Sequence, residues 1–415
     1  MTEIYLDRFR ARYASRAHGM NASEIRALFA VANRPEVVSL AGGMPYTAAL
    51  DFEALTEVTQ AVIRDAGPAA MQYGEGQGLP ALRQELTEVM AAEGVRAHTE
   101  DLVVTTGGQQ ALDLVAKLFC DPGDVVLAEG PSYVGALGAF ASYQAEVLHV
   151  AMDDEGMDPA ALEAELHRLA AAGRSAKFLY TIPNHQNPAG SSMSMPRREQ
   201  VVALAESHDL LIVEDNPYGL LDFKGELRPA LRSLAPDRVL YVGTLSKILS
   251  PGLRIGWVAA AGPVRDKLVL LKEAADLCQS NLTQHVAQRW FATQPWLRQV
   301  EAFRDVYRRR CSALLDELAA SFPPGCSWTA PTGGLFVWVR LPDGVDARQL
   351  LPKALSARVA YVPGAGFYAD GSGSAELRLS FCFPPADRIR EGARRLAEVL
   401  HEEIELIDAI YGDRR

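Results

Sequence analysis

Val239-Leu240-Tyr241-Val242-Gly243-Thr244-Leu245-Ser246-Lys247-Ile248-Leu249-Ser250-Pro251-Gly252-Leu253-Arg254-Ile255-Gly256 opens as a short uncharged apolar run and closes in a turn carrying hydroxyls, glycine, a lysine and an arginine. A run that is apolar at every position reads as a strand buried on both faces, the mark of a parallel sheet covered by helices. Lys247 then falls just past the strand's carboxyl end, where an amine can form an imine with an aldehyde, while Thr244, Ser246 and Arg254 offer donors suited to a phosphate. Ser-Lys beside glycine also occurs in plain exposed loops, so the reading depends on what the rest of the chain supplies.

Working outward, the same pattern recurs between about residues 100 and 260: Leu102-Val103-Val104, Val125-Val126-Leu127-Ala128, Phe178-Leu179-Tyr180, Leu210-Leu211-Ile212-Val213 and Gly256-Trp257-Val258-Ala259, separated by longer amphipathic stretches. This alternation predicts a large α/β unit around a mostly parallel sheet. A helical stretch from about 264 to 322 leads to shorter strands at Leu335-Phe336-Val337-Trp338-Val339, Ala360-Tyr361-Val362 and Leu377-Arg378-Leu379, and a final helix from about 385 to 405 closes a smaller α+β unit. Near the start, Asn21-Ala22-Ser23-Glu24 has the form of a capping box opening a short helix.

Length and composition bound these readings. A chain of 415 residues exceeds the roughly 250 to 300 at which single cores stop growing, so two packed units are expected. With 41 basic and 52 acidic residues the net charge is −11, which disfavours nonspecific attachment to nucleic acid or anionic membrane, so neither is expected as a partner. Five cysteines without CxxC spacing fit reduced thiols, and neither a signal-like start nor a long apolar run is evident, so the expected location is the cytoplasm. The eight histidines have no metal-ligand spacing, and no metal is expected.

In open parallel sheets ligands bind beyond the carboxyl ends of the strands. Tyr133, Asn187, Asp215 and Lys247 each follow or end one of the predicted strands and so should share that rim. A carboxylate such as Asp215 keeps a pyridine nitrogen protonated, and a protonated ring is an electron sink; Tyr218, returning from the next turn, and Asn187 can both reach the ring's phenolic oxygen. Thr105-Thr106-Gly107-Gly108-Gln109-Gln110 joins a strand to a helix and suits a phosphate, although it is neither a Walker A loop nor the dinucleotide motif. Arg378 lies opposite Leu377 and Leu379 on its strand, where its fork can hold a carboxylate. Together these groups describe an anchor for pyridoxal 5'-phosphate.

The ordered set Ser23-Glu24-Ile25-Arg26, Leu40-Ala41-Gly42-Gly43-Met44-Pro45, Tyr73-Gly74, Gly107-Gly108-Gln109-Gln110-Ala111-Leu112, Asn187-Pro188, Asp215-Asn216-Pro217-Tyr218, Ser246-Lys247 with Arg254, and Leu377-Arg378-Leu379-Ser380 resembles the fold type I pyridoxal-phosphate-dependent aminotransferases of classes I and II, especially the 2-aminoadipate and kynurenine branch. The resemblance implies a seven-stranded, mostly parallel sheet in a large domain over residues 51–305, with a small α+β domain made from 306–415 and the arm 1–50. It implies that Lys247 forms the imine, Asp215 meets the pyridine nitrogen, Tyr218 and Asn187 meet the phenolic oxygen, and Tyr133 stacks on the ring. Phosphate contacts would come from the backbone of Gly108 and Gln109, from Thr244, Ser246 and Arg254, and from Tyr73 of a neighbouring subunit in a homodimer. Arg378 would clamp the substrate α-carboxylate, Gly43 would line the pocket, and Arg26 would meet an acidic substrate side chain. Two departures are Gly108, where related chains often have Ser, and Ala189, where Thr is frequent.

The reaction so implied is a ping-pong transfer of an amino group from an L-α-amino acid to a 2-oxo acid, with 2-oxoglutarate the expected acceptor. Elimination or decarboxylation on the same cofactor stays open, as does a ligand-sensing regulator, although only about 20 residues precede the first matched helix, short for a DNA-binding domain. The donor stays open among 2-aminoadipate, aromatic and branched aliphatic amino acids.

Overall fold

The computed structural model describes residues 7–18 and 34–411. Two short helical turns, Arg10–Arg12 and Ser15–His18, and a two-residue strand, β1 (Val38–Ser39), precede an eight-stranded sheet made of β2 (Leu102–Thr105), β3 (Val125–Gly130), β4 (Glu146–Asp153), β5 (Gly156–Met157), β6 (Ala176–Thr181), β7 (Leu211–Asp215), β8 (Val239–Thr244) and β9 (Gly256–Ala259). Their order across the sheet is β2-β9-β8-β7-β6-β3-β4-β5. The pairs from β8 through β4 are parallel, β9 runs against both β8 and β2, and β5 is only a two-residue return of β4. The predicted seven strands are therefore present with that short eighth.

Two cores form on opposite faces because side chains alternate along each strand. Val126, Ala128, Phe178, Tyr180 and Val213 enter one core with Leu112 and Val115 of the helix Gly108–Phe119 and Phe140 of Val134–Ser142. Val125, Leu127, Leu179 and Ile212 enter the other with Leu162 and Leu166 of Pro159–Ala171 and Val201 and Val202 of Met195–Ser207. Burial on both faces explains the uninterrupted apolar runs. β4 is a near-edge strand with mixed exposure and carries Glu146 and His149, so it lacks that signature and escapes a search for apolar runs.

The predicted helical stretch is three helices, Gly262–Asp276, Asn281–Thr293 and Trp296–Ser321. They lead into a four-stranded antiparallel sheet formed by β10 (Ser327–Trp328), β11 (Phe336–Arg340), β13 (Val362–Pro363) and β14 (Glu376–Ser380), in the order β10-β11-β14-β13. β12 (Val359–Ala360) pairs instead with β1, so the single strand expected at 360–362 is divided between two sheets. The last helix, Ala386–Tyr411, extends beyond the expected 405 and packs against Trp296–Ser321. The helix expected from Asn21 lies outside the described residues.

Candidate active site

Four parallel strands bring their carboxyl ends to one rim. Asp215 is the last residue of β7 and pairs with Val242 of β8, Thr181 ends β6 beside Glu214, and β3 ends at Gly130. At the far side Gly256 pairs with both Thr105 of β2 and Thr244 of β8, which draws the turn after β2 against the turn after β8. That approach requires glycine: a Cβ on Gly256 would lie 2.6 Å from Gly107 C and from Gly108 N. Gly107 adopts φ +77°, which L side chains rarely take, and a Cβ there would meet the Arg254 guanidinium at 2.5 Å.

Beyond this rim lies a cavity of about 420 Å³ that is lined by Lys247, Asp215, Tyr218, Tyr133, Asn187, Arg378, Gly43, Gly108, Gln109, Thr244, Ser246 and Arg254. Of the site residues named from the sequence, Tyr73 is not among the described lining residues. Tyr73 is 76% exposed on the surface, and Arg26 lies outside the described residues.

At one end the helix Gly108–Phe119 starts without a side-chain cap, leaving its first N–H groups free beside the hydroxyls of Thr244 and Ser246, which are 2.9 Å apart. Arg254, held in the left-handed region at φ 52° by the turn Pro251–Leu253, donates to Thr106 O at 3.1 Å and brings a cation to the same end. Uncapped N–H groups, two hydroxyls and a guanidinium form an anion cradle.

At the floor, Asp215 is 6% exposed and accepts a hydrogen bond from Tyr180 at 2.8 Å. Burial drives its pKa up to about 7, against the lowering effects of the Tyr180 hydroxyl and the Lys247 charge. Lys247 donates to Gly43 O at 2.8 Å. Burial pulls its pKa down to about 8, and the neighbouring guanidinium groups of Arg378 and Arg254 act in the same direction while Cys382 and Asp215 oppose it. Tyr218 and Tyr133 stay protonated, since burial raises both phenols.

At the opposite end Arg378, 3% exposed, donates from one nitrogen to Asn187 Oδ1 and from another to Ala41 O, each at 2.8 Å, and lies 4.2 Å above the Phe336 ring and 5.0 Å from that of Phe367. Among the described residues no carboxylate pairs with it, and its Nε has no hydrogen-bond partner. Burial lowers its pKa to about 10. A buried, unpaired guanidinium is costly unless an anion completes it. The site thus offers an anion cradle, an amine, a carboxylate and a second anion fork in one enclosure, and this donor set fits a phosphopyridine aldehyde together with a carboxylate substrate.

Three contributors were not singled out in the sequence. Tyr180 reads there as one more aromatic strand residue. Phe336 reads as core. Cys382 donates its S–H to Met44 O at 2.9 Å and so ties the segment bearing Gly43 to the chain just after β14; nothing in its sequence spacing marks it.

A family model described as aminotransferase class I and II matches residues 35–396. The chain is 40% identical to aromatic-amino-acid aminotransferase 1 of Thermococcus litoralis over 394 residues, covering 94% of each. Among solved structures it resembles Pyrococcus horikoshii kynurenine aminotransferase in complex with PMP, KYN and KYA, with TM-score 0.92, 37% identity and coverage of 96% of this chain and 99% of that one. It also resembles the alpha-aminoadipate aminotransferase of Thermus thermophilus complexed with N-(5'-phosphopyridoxyl)-L-leucine, with TM-score 0.88, 37% identity and coverage of 95% and 99%. A match this long, on a chain whose lysine, aspartate and arginine meet in one cavity, means that the chain belongs to the class I and II aminotransferases.

Proposed function

We infer that the protein is a pyridoxal-phosphate-dependent aminotransferase that moves an amino group from an L-α-amino acid to a 2-oxo acid, with 2-oxoglutarate as acceptor, in two half-reactions at one site. The observation that carries this reading is the convergence of Lys247, Asp215 and Arg378 on a single cavity. When bound, the cofactor supplies an aldehyde that takes up the amino group and a ring that draws electrons from the substrate Cα.

Lys247 is the residue to which the aldehyde would be bonded, and once freed its Nζ would carry the proton away from the substrate Cα. An amine with a pKa near 8 suits that role because a useful fraction is neutral close to neutral pH. Asp215, kept dry and held by Tyr180, would face the ring nitrogen. Tyr218 and Asn187 would meet the phenolic oxygen and Tyr133 the ring face, while Gly108, Gln109, Thr244, Ser246 and Arg254 would hold the phosphate. Arg378 would bind the α-carboxylate of each substrate in turn, since Asn187 and Ala41 each take one N–H of its guanidinium and leave Nε and the remaining N–H groups for an anion. A single fork serving both substrates supports an alternating order of binding. Gly43 would border the substrate.

Tyr73 stands out on the surface, in keeping with a role at the phosphate of a second subunit in a homodimer. The division into residues 51–305 and a smaller unit from 306–415 with the arm is proposed with it. Five free cysteines support a reducing, cytoplasmic setting; no described helix is long and apolar enough to cross a membrane.

For the donor, the described walls include Met44, Ile182 and Phe336, and the cations among them are Lys247, Arg254 and Arg378, each with a role already. This favours an aromatic or aliphatic side chain, whereas an acidic one would depend on Arg26. The test is a screen of amino donors with 2-oxoglutarate. Equal amounts of new oxo acid and glutamate support the reading, and release of ammonia or carbon dioxide in their place contradicts it.

A further inference from the structure

We propose that Glu129 is a positioning residue of the active site: its buried carboxylate gathers the loop after β6 and thereby sets the aim of Asn187 and, through it, of Arg378. The proposal rests on the reading of Asn187 as a cofactor contact and Arg378 as the carboxylate fork.

Glu129 is the penultimate residue of β3 and is 1% exposed. One carboxylate oxygen accepts from the Thr181 hydroxyl at 2.6 Å; the other accepts from Ile182 N–H at 3.0 Å and from Gln186 Nε2 at 3.1 Å. Among the described residues no lysine or arginine forms an ion pair with it. A buried acid without a cation opposes folding unless hydrogen bonds compensate, and an apolar residue would fill the same space at lower cost. Burial lifts its pKa to about 7.

What its three donors accomplish is specific to the site. Gln186 also donates from Nε2 to Pro131 O at 2.8 Å and accepts from Ala189 N–H at 2.7 Å through Oε1, so its side chain spans the inside of the loop that carries Asn187. The turn at Pro131, two residues before Tyr133, is bound by the same amide. One carboxylate thus joins the end of β3, the end of β6 and the Asn187 loop. Asn187 Oδ1 is committed to Arg378 at 2.8 Å, which leaves its amide N–H groups as the donor for the cavity. A loop released from Glu129 would loosen both contacts together.

The test uses the cofactor-loaded enzyme and the variants Glu129→Gln, Glu129→Leu and Gln186→Leu. Two quantities are read: the pH midpoint of the visible absorbance of the lysine-bound cofactor, and KM against kcat for the amino donor. A weakened Asn187 donor leaves more charge on the phenolic oxygen, so Glu129→Leu and Gln186→Leu should move the midpoint upward and raise KM about tenfold, more than they change kcat. Glu129→Gln keeps an acceptor for Ile182 and Gln186 and should stay within about twofold of wild type. If Glu129→Leu does not fold, Gln186→Leu decides the matter, since it cuts the link and leaves the acid in place. Wild-type midpoint and KM in Gln186→Leu overturn the proposal, as does a Glu129→Gln variant as impaired as Glu129→Leu. Failure of the underlying reading has a different sign: the wild-type protein itself would lack the visible absorbance.

Discussion

Tyr180 donates its phenolic proton to Oδ2 of Asp215 across 2.8 Å, with both side chains buried at the end of neighbouring parallel strands. The bond opposes the effect of burial, which otherwise favours the neutral acid, and so helps to keep Asp215 able to face a protonated ring. Tyr180→Phe preserves the packing against Phe140 and removes only that donor. The Asp215 pKa should rise further, and both cofactor affinity and kcat/KM should fall about tenfold to a hundredfold, the usual effect of about 1.5–3 kcal/mol for a hydrogen bond to a charged group. Equilibrium binding of the cofactor and steady-state kinetics measure this; unchanged values would remove Tyr180 from the role.

The lowered pKa of Lys247 makes uptake of the cofactor by the cofactor-free protein pH-dependent. Only the neutral amine attacks an aldehyde. The rate should therefore climb as pH rises and level off above about 8, well below the pH at which an ordinary lysine would do so. Asp215 adds a linkage of opposite sense for stability. Its pKa is raised in the folded state, so between about 4 and 7 the folded chain holds more protons than the unfolded one, and this group's contribution to stability declines as pH rises through that window. Stopped-flow absorbance tests the first statement, and comparing the pH dependence of melting in wild type and Asp215→Asn tests the second.

Gly107 and Gly108 should respond in opposite ways to a side chain. A Cβ at Gly108 meets only Thr244 Cβ, at an ordinary 3.8 Å, so Gly108→Ser is accommodated and adds a hydroxyl to the anion cradle. Cofactor affinity should increase a few-fold, by about 0.5–1.5 kcal/mol. Gly107→Ala forces an unfavourable φ and crowds Arg254, so affinity should drop. Titration of cofactor-free protein measures both, and a weaker Gly108→Ser would show that the cradle is arranged otherwise.

Much of the rim was legible because its chemistry sits at strand ends, where sequence order and spatial order coincide. Asp215 and Lys247 follow apolar runs whose parallel pairing can be anticipated from burial on both faces. Tyr180 was not legible, because its position inside such a run hides which way its hydroxyl points. Glu129 was hidden by the same ambiguity at the close of the β3 run. β4 was missed because a half-exposed strand has no continuous apolar signature, and the split of residues 359–363 between two sheets depends on the pairing of Val38 with Val359, a contact far apart in sequence.

Arg378 makes a prediction that is uniform across substrates. Every α-amino acid has the same carboxylate, so Arg378→Ala should reduce kcat/KM for all donors alike, by about 3 kcal/mol or roughly two orders of magnitude. Arg378→Lys keeps charge without the fork and should fall between. A loss confined to one class of donor would instead assign the residue to side-chain recognition.

We propose that Lys247 is the residue to which the cofactor is bonded. Borohydride reduction of the native holoenzyme, followed by proteolysis and mass spectrometry of the peptides, tests it directly. The expected result is a phosphopyridoxyl group on the peptide containing Lys247 and on no other; a label on a different lysine, or reduced protein that carries none, would contradict the account.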